Sequence, residues 1–186
     1  MLLAQMLLQV ATQGFRLPDL MEHTLGWASP WLLLLAASGH QAWPLLARIA
    51  VALTFTGHGL FALGWPWPLP PHFGYMTTRI TGLTPEGAQW LLRLAGSLDL
   101  LVSVGIFMPR LAKPALVYAI IWGGLTALAR PTAYVLWPSF WPDLHRWGME
   151  MAWRLPHALV PLAILRLYLS APNHVKAEES APDGGG

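Results

Sequence analysis

Apolar residues run on for the length of a bilayer in four places: residues 45–63, 88–107, 112–129 and 149–169. A helix needs about 20 mostly apolar residues to cross the hydrocarbon layer. The runs are too long and continuous for strands of a soluble sheet. A transmembrane barrel would show shorter, alternating segments. In lipid each span must satisfy its own backbone hydrogen bonds, so the four runs read as helices. The predicted fold is all-α, an integral membrane four-helix bundle over residues 45–169. An N-terminal amphipathic and short apolar helical segment, residues 1–44, precedes it, and a disordered polar tail, residues 170–186, follows.

Two weaker patterns lie in the N-terminal segment. Residues 25–38 are apolar around Trp31 to Ala37 but short for a span. They read as a partly embedded or interfacial helix that Pro30 opens, the alternative being a fifth span that would move the N-terminus to the other side. Leu2, Leu3, Met6, Leu7 and Val10 fall at helical spacing, with Gln5 and Gln9 on another face. That is an amphipathic segment able to lie on a membrane or a partner. It lacks the basic start of a signal peptide, and Asp19 and Glu22 precede the apolar core near Leu33.

The connections are rich in Trp and Pro. Residues 64–87 hold Trp65-Pro66-Trp67-Pro68 and Pro70-Pro71, which predicts an extended, rigid link. Residues 131–148 repeat the style with Trp137-Pro138, Trp141-Pro142 and Trp147. Met108-Pro109-Arg110-Leu111 is tight and predicts an antiparallel hairpin. Thr84-Pro85-Glu86 is a helix start: a hydroxyl cap, a first-turn proline and an acid favoured by the dipole.

Composition sharpens this picture. Only 11% of the 186 residues are charged, 55% are hydrophobic and mean hydropathy is +0.46. Soluble domains carry about 25% charged residues. The eleven Trp suit membrane interfaces. The absence of Cys removes thiolate catalysis, disulfides and iron–sulfur clusters. A net charge of +2 is too small for a nucleic-acid surface. Arg16, Arg48, Arg110, Lys113, Arg166 and Lys176 fall on one side of the four spans, and Arg79, Arg93, Arg130, Arg146 and Arg154 on the other. The excess on the first side places both termini in the cytoplasm.

Small residues mark where membrane helices meet. Ala115, Ala119, Gly123 and Ala127 form such a stripe. Ala50, Thr54, His58 and Ala62 form a second, and Ala95, Asp99 and Ser103, with Gly96, a third. His58 and Asp99 thus sit inside contact faces. A charge deep in a bilayer costs about 3 kcal/mol or more unless it is paired or hydrated. The economical arrangement brings His58, Asp99, Arg154 and His157 together inside the bundle, with Arg93 a rival partner for Asp99. Such a centre either satisfies itself and sets helix register, or carries protons, or holds the polar head of a quinone or lipid. Haem would need His58 to face His157 or His40 across a cofactor-sized gap, and no spacing enforces that. Asp143, His145 and Glu150 match no metal motif and read as a solvated rim. His72 and His174 read as loop and tail residues. No Ser/His/Asp triad, phosphate loop, dinucleotide fingerprint or zinc-protease motif is present. His58 and Asp99 are the candidates for any chemistry.

From Arg48 to about Pro131 the chain resembles the DoxX-like family of small four-helix bacterial membrane proteins. The likeness lies in the Arg48-opened first helix with its His58-Gly59 pair. It continues in Ala95-Gly96-Ser97 and the apolar run to Gly105, Met108-Pro109-Arg110, and the small-residue stripe that ends near Ala129. The family often has a Lys shortly after the His-Gly pair, where this chain has Ala62. It often has a Glu at the start of the Gly-rich helix, where this chain has Arg93 or Ala95, with Asp99 a turn later. The resemblance implies a bacterial inner-membrane protein linked to redox enzymes, since the namesakes include subunits of a thiosulfate:quinone oxidoreductase. The expected role is an accessory, non-catalytic subunit that meets other membrane subunits and contributes to a quinone-side pocket. The alternatives are a stand-alone quinone-linked oxidoreductase subunit with a His58/Asp99 proton site, and a small transporter or channel. The last lacks an internal repeat.

Overall fold

A computed structural model describes residues 17–136 and 139–170. The amphipathic segment expected at residues 1–10 and the tail expected after Ser170 lie outside the described residues. Among the described residues the secondary structure is all α-helix: α1 (Leu17–Glu22), α2 (Thr24–Ala37), α3 (Trp43–Leu63), α4 (Pro71–Thr81), α5 (Pro85–Gly105), α6 (Ala112–Tyr134), α7 (Phe140–Arg154) and α8 (Pro156–Ser170).

Two of these, α3 and α6, are long and apolar enough to cross a membrane. The outward faces of the long helices are apolar as well. Leu45, Leu46, Ile49 and Leu53 are exposed on α3, Leu94, Leu98, Leu101 and Val104 on α5, and Val117, Ile121, Leu125 and Leu128 on α6. A soluble surface does not carry apolar area so continuously. The protein is helical and membrane-associated.

The helix ends follow local chemistry. Thr84 caps α5 by accepting from the Gly87 N–H at 3.2 Å, with Pro85 in the first turn. Gly64, at φ 73°, closes α3. Gly105 packs against Ala115, while the Tyr118 hydroxyl reaches Ala95 and Asp99. Numbers fall along α5 as they rise along α6, so the two helices form the expected antiparallel hairpin.

Proline corrects the sequence reading in four places. Residues 149–169 do not form one helix, because the chain breaks at Leu155 into α7 and α8. Pro156 has no N–H for the Ala152 carbonyl, and the Leu155 N–H takes that oxygen at 3.3 Å instead. Residues 64–87 are not wholly extended, since Pro70 precedes and Pro71 opens α4. Much of 131–148 is helical too: α6 runs through Pro131 to Tyr134, and Pro142 lies in the first turn of α7, where no N–H is needed. Pro30 lies inside α2 rather than at its start. The Ser29 hydroxyl donates to the Gly26 carbonyl at 3.2 Å, the oxygen that Pro30 leaves without a helical donor.

The centre of the fold is the triplet Gly57-His58-Gly59 on α3. Successive helical residues point about 100° apart. A Cβ on Gly57 would lie 2.8 Å from the Pro18 carbonyl oxygen, so α1 rests directly on that glycine. A Cβ on Gly59 would lie 2.8 Å from the Gly96 carbonyl oxygen, and one on Gly96 equally close to the Gly59 carbonyl oxygen. Here α3 and α5 touch backbone to backbone. His58 projects between these two contacts, into the interior. The α6 stripe of Ala115, Ala119, Gly123 and Ala127 is buried, and Gly123 sits against the His157 carbonyl of α8. Pro161 leaves that carbonyl without a helical donor. At the other end of the interior, Thr54 Oγ1 accepts from the Leu25 N–H at 3.0 Å, which satisfies an early amide of α2.

Gly59→Leu should sharply lower the thermal midpoint of the detergent-solubilised protein, since overpacking costs about 1–3 kcal/mol or more. Ser97→Leu, on the exposed side of α5, should leave it near the wild-type value. An unchanged midpoint for Gly59→Leu would mean that α3 and α5 do not meet at this residue.

Candidate functional site

A cavity of about 240 Å³ lies among α3, α4, α5, α6 and α7. Its walls are largely apolar: Ala62, Phe73, Met76, Leu92, Ala95 and Trp122 among others. Four titratable or charged side chains line it, His58 from α3, Asp99 from α5, Arg130 from α6 and Arg154 from α7. Four helices that each need one face buried thus bring one titratable or charged group apiece to a common space. α4 closes one side with Phe73, Met76, Thr77 and Ile80. It sits there through the stack of Tyr75 on Tyr134 of α6, at 5.2 Å, and of Tyr134 on Trp147 of α7, at 4.4 Å.

Each polar group has a distinct environment. Asp99 is 2% exposed and its Oδ1 accepts from the Tyr118 hydroxyl at 3.0 Å. Arg154 is 4% exposed, and its Nη2 donates to Glu22 Oε1 at 3.1 Å. Glu22 is itself buried, at the end of α1. The Arg154 Nε has no partner among protein atoms. His58 is 9% exposed and stacks near Phe73, with centroids 6.2 Å apart, while its Nε2 has no partner. Arg130 Nε lies 3.9 Å from Glu150 Oε2, whose side chain is half exposed. Buried polar groups are normally hydrogen-bonded. Two of the residues that line the cavity thus carry a buried nitrogen without a protein partner.

The structure brings together most of the residues singled out from sequence. His58, Asp99 and Arg154 share the cavity. His157 is buried behind His58, with ring centroids 5.5 Å apart in an edge-on contact and both nitrogens unpartnered. Arg93 does not join them: it is exposed, with its guanidinium 5.3 Å over the Trp90 ring. It sits six residues before Asp99, so it falls on the outer side of α5 when Asp99 faces inward. His40 is exposed beyond the start of α3, where its Nδ1 accepts from the Ala42 N–H. The edge contact of His58 and His157 leaves no gap for a porphyrin between them. Among the described residues no three His, Cys, Asp or Glu side chains cluster as a metal site. His72 lies in α4 beside Phe73, where burial holds its imidazole below its ordinary pKa.

Sequence reasoning missed Glu22, Tyr118 and Arg130. Glu22 and Arg154 are 132 residues apart. The available signal was negative: an Arg flanked by apolar helix residues needs an acid, and Asp99 already had a role. Tyr118 adjoins the small-residue stripe of α6, which faces inward at Ala119, so its hydroxyl was a candidate donor for an inward carboxyl.

No family model matches the chain, and neither the curated proteins nor the solved structures contain a match.

Glu22→Ala should destabilise the protein by about 3–5 kcal/mol, because it leaves the Arg154 charge buried without its partner. The Glu22→Ala/Arg154→Ala double variant should cost less than the sum of the two single changes. Tyr118→Phe should cost about 1–3 kcal/mol by leaving Asp99 short of a donor. Thermal melts of the four variants in one detergent test these effects, and strict additivity of the first pair would show that Glu22 and Arg154 do not interact.

Proposed function

We propose that this chain is an accessory membrane subunit of a bacterial redox or electron-transfer complex, and that its cavity is a quinone-side pocket. The observation that carries the reading is the apolar cavity lined by His58 and Arg154, each of which has a buried side-chain nitrogen without a protein partner. A quinone ring carries oxygens that accept hydrogen bonds, on a molecule otherwise suited to lipid. A site for it needs apolar walls and a few convergent donors. Asp99 adds a carboxyl group to the lining, which Tyr118 and Trp122 hold by side-chain hydrogen bonds. The size suits a headgroup more than a whole lipid.

The same proposal covers the membrane arrangement. α3, α5 and α6 cross, and α7 with α8 makes the fourth passage, kinked at Leu155, with both termini cytoplasmic. α8 alone is too short, since its 15 residues reach about 22 Å at 1.5 Å per residue. α2, with 14 residues, lies partly embedded beside the bundle. The likeness of the His58-Gly59 helix and the α5–α6 hairpin to the DoxX-like family supports a four-helix bundle of the bacterial inner membrane. An incomplete set of catalytic groups supports an accessory role over an enzyme.

A short-chain ubiquinone analogue should bind the purified protein saturably. His58→Ala should weaken that binding about tenfold, the effect of losing one buried hydrogen bond of ~1.4 kcal/mol. Ala95→Phe, which fills the cavity, should abolish it while the melt still shows a folded protein. Partitioning that never saturates, or that ignores both changes, would remove the pocket reading. Gentle extraction from the native membrane should recover oxidoreductase subunits in stoichiometric amounts. A discrete particle of this chain alone would remove the accessory role and favour a self-contained protein centred on His58 and Asp99.

A further inference from the structure

We propose that Glu22 determines the ligand specificity of the cavity: as the internal counter-ion of Arg154, it makes the pocket select neutral amphiphiles over anionic ones. The inference rests on the reading of the cavity as a ligand site.

Charge bookkeeping around the cavity motivates it. Two guanidinium groups face the space, and both have carboxylates held off its wall, Glu22 for Arg154 at 3.1 Å and Glu150 for Arg130 at 3.9 Å. Without those acids the two guanidiniums would face only the Asp99 carboxyl, and the cavity would carry an excess of positive charge in an apolar setting. That is a site for a fatty carboxylate or an alkyl phosphate, which are plentiful in any membrane. A point charge in such surroundings acts more strongly than in water. The Glu22–Arg154 pair is nearly free of solvent, with side chains 7% and 5% exposed. It is therefore screened little, whereas Glu150 is half exposed and its pair is the weaker of the two.

The geometry explains how Glu22 neutralises Arg154 without blocking it. α1 rests on Gly57, one residue before His58, and presents Glu22 from behind the wall rather than from within the cavity. The carboxylate takes Nη2 and leaves Nε open. Arg154 thereby keeps hydrogen-bonding capacity that Glu22 does not use while its charge is balanced. The His58 imidazole, which also lines the cavity, adds directionality. Neutral carbonyl oxygens are served by this arrangement, and a carboxylate head gains no excess positive charge. α1 is thus the outer backing of the site.

The experiment uses the full chain in mild detergent at pH 7, with three probes of matched tail length: decyl-ubiquinone, decanoic acid and decylamine. Glu22→Gln keeps an oxygen for Arg154 Nη2 and removes only the charge. It should gain about tenfold or more in affinity for decanoate, with decyl-ubiquinone changing little. Arg154→Gln leaves Glu22 uncompensated and should move preference towards decylamine. Glu22→Asp, which keeps the charge, should retain the wild-type order. Should Glu22→Gln fail to fold, the Arg154→Gln and Glu22→Asp results still decide. Unchanged probe preference in Glu22→Gln and Arg154→Gln, with decyl-ubiquinone bound by the wild-type protein, would overturn the counter-ion role and leave the pocket standing. Failure of the wild-type protein to bind decyl-ubiquinone would overturn the pocket reading and this inference with it. Wild-type preference for decanoate would overturn the inference alone.

Discussion

The backbone contact between α3 and its neighbours at Gly57 and Gly59 sets the rest of this structure. Helices that meet through side chains stand 8–10 Å apart. Glycine lets α1 and α5 come closer on two sides of one residue, and that residue is His58. Two close contacts about 200° apart around α3 leave His58 only the interior to face. The position of the imidazole is thus dictated by its glycines, not by a hydrogen bond of its own. The same closeness carries Glu22 to the level of Arg154 and the inward face of α5, with Asp99, to the level of the cavity.

Proline does complementary work. Within a helix it costs one carbonyl its donor, and at Pro30, Pro156 and Pro161 the freed carbonyl is met by another group. Ser29 serves the carbonyl opposite Pro30. Gly123 packs on the His157 carbonyl that Pro161 releases. At Pro156 the break separates α7 from α8 and places Arg154 at the last turn of one helix with His157 in the first turn of the next. Both side chains are buried, on different elements that can be aimed separately. A straight helix through residues 149–169 would hold them a fixed 300° apart, so the kink bears directly on the composition of the site.

The outcome is a cavity whose chemistry is balanced. Its walls are apolar, its charges are neutralised by acids set behind them, and the open polar atoms are hydrogen-bonding nitrogens. In a membrane this balance matters more than in water. Many membrane lipids carry an anionic phosphate in the head, and a pocket with an unbalanced guanidinium would attract such groups. Selectivity for an uncommon neutral ligand requires the counter-ion to be built in.

The class of the protein was legible in the sequence. Low charge, long apolar runs and interfacial Trp are sums over many residues, and such sums survive any error in placing one of them. The contact faces were legible too, because small residues at spacing four on α3, α5 and α6 mark an inward face wherever the helix goes. So were His58 and Asp99, since a polar residue within such a stripe has nowhere else to point. Local pattern did not show the helical course of the Pro-rich links, because proline opens a helix as readily as it ends one and the difference lies in the next turn. Nor did it show Glu22 beside Arg154 or Tyr118 beside Asp99. Those pairs join distant parts of the chain, and which acid meets which base depends on how closely whole helices approach. Residue type and periodicity settle which face of a helix is buried. Only tertiary packing settles what that face is buried against, because the distance between two helix axes is a property of both.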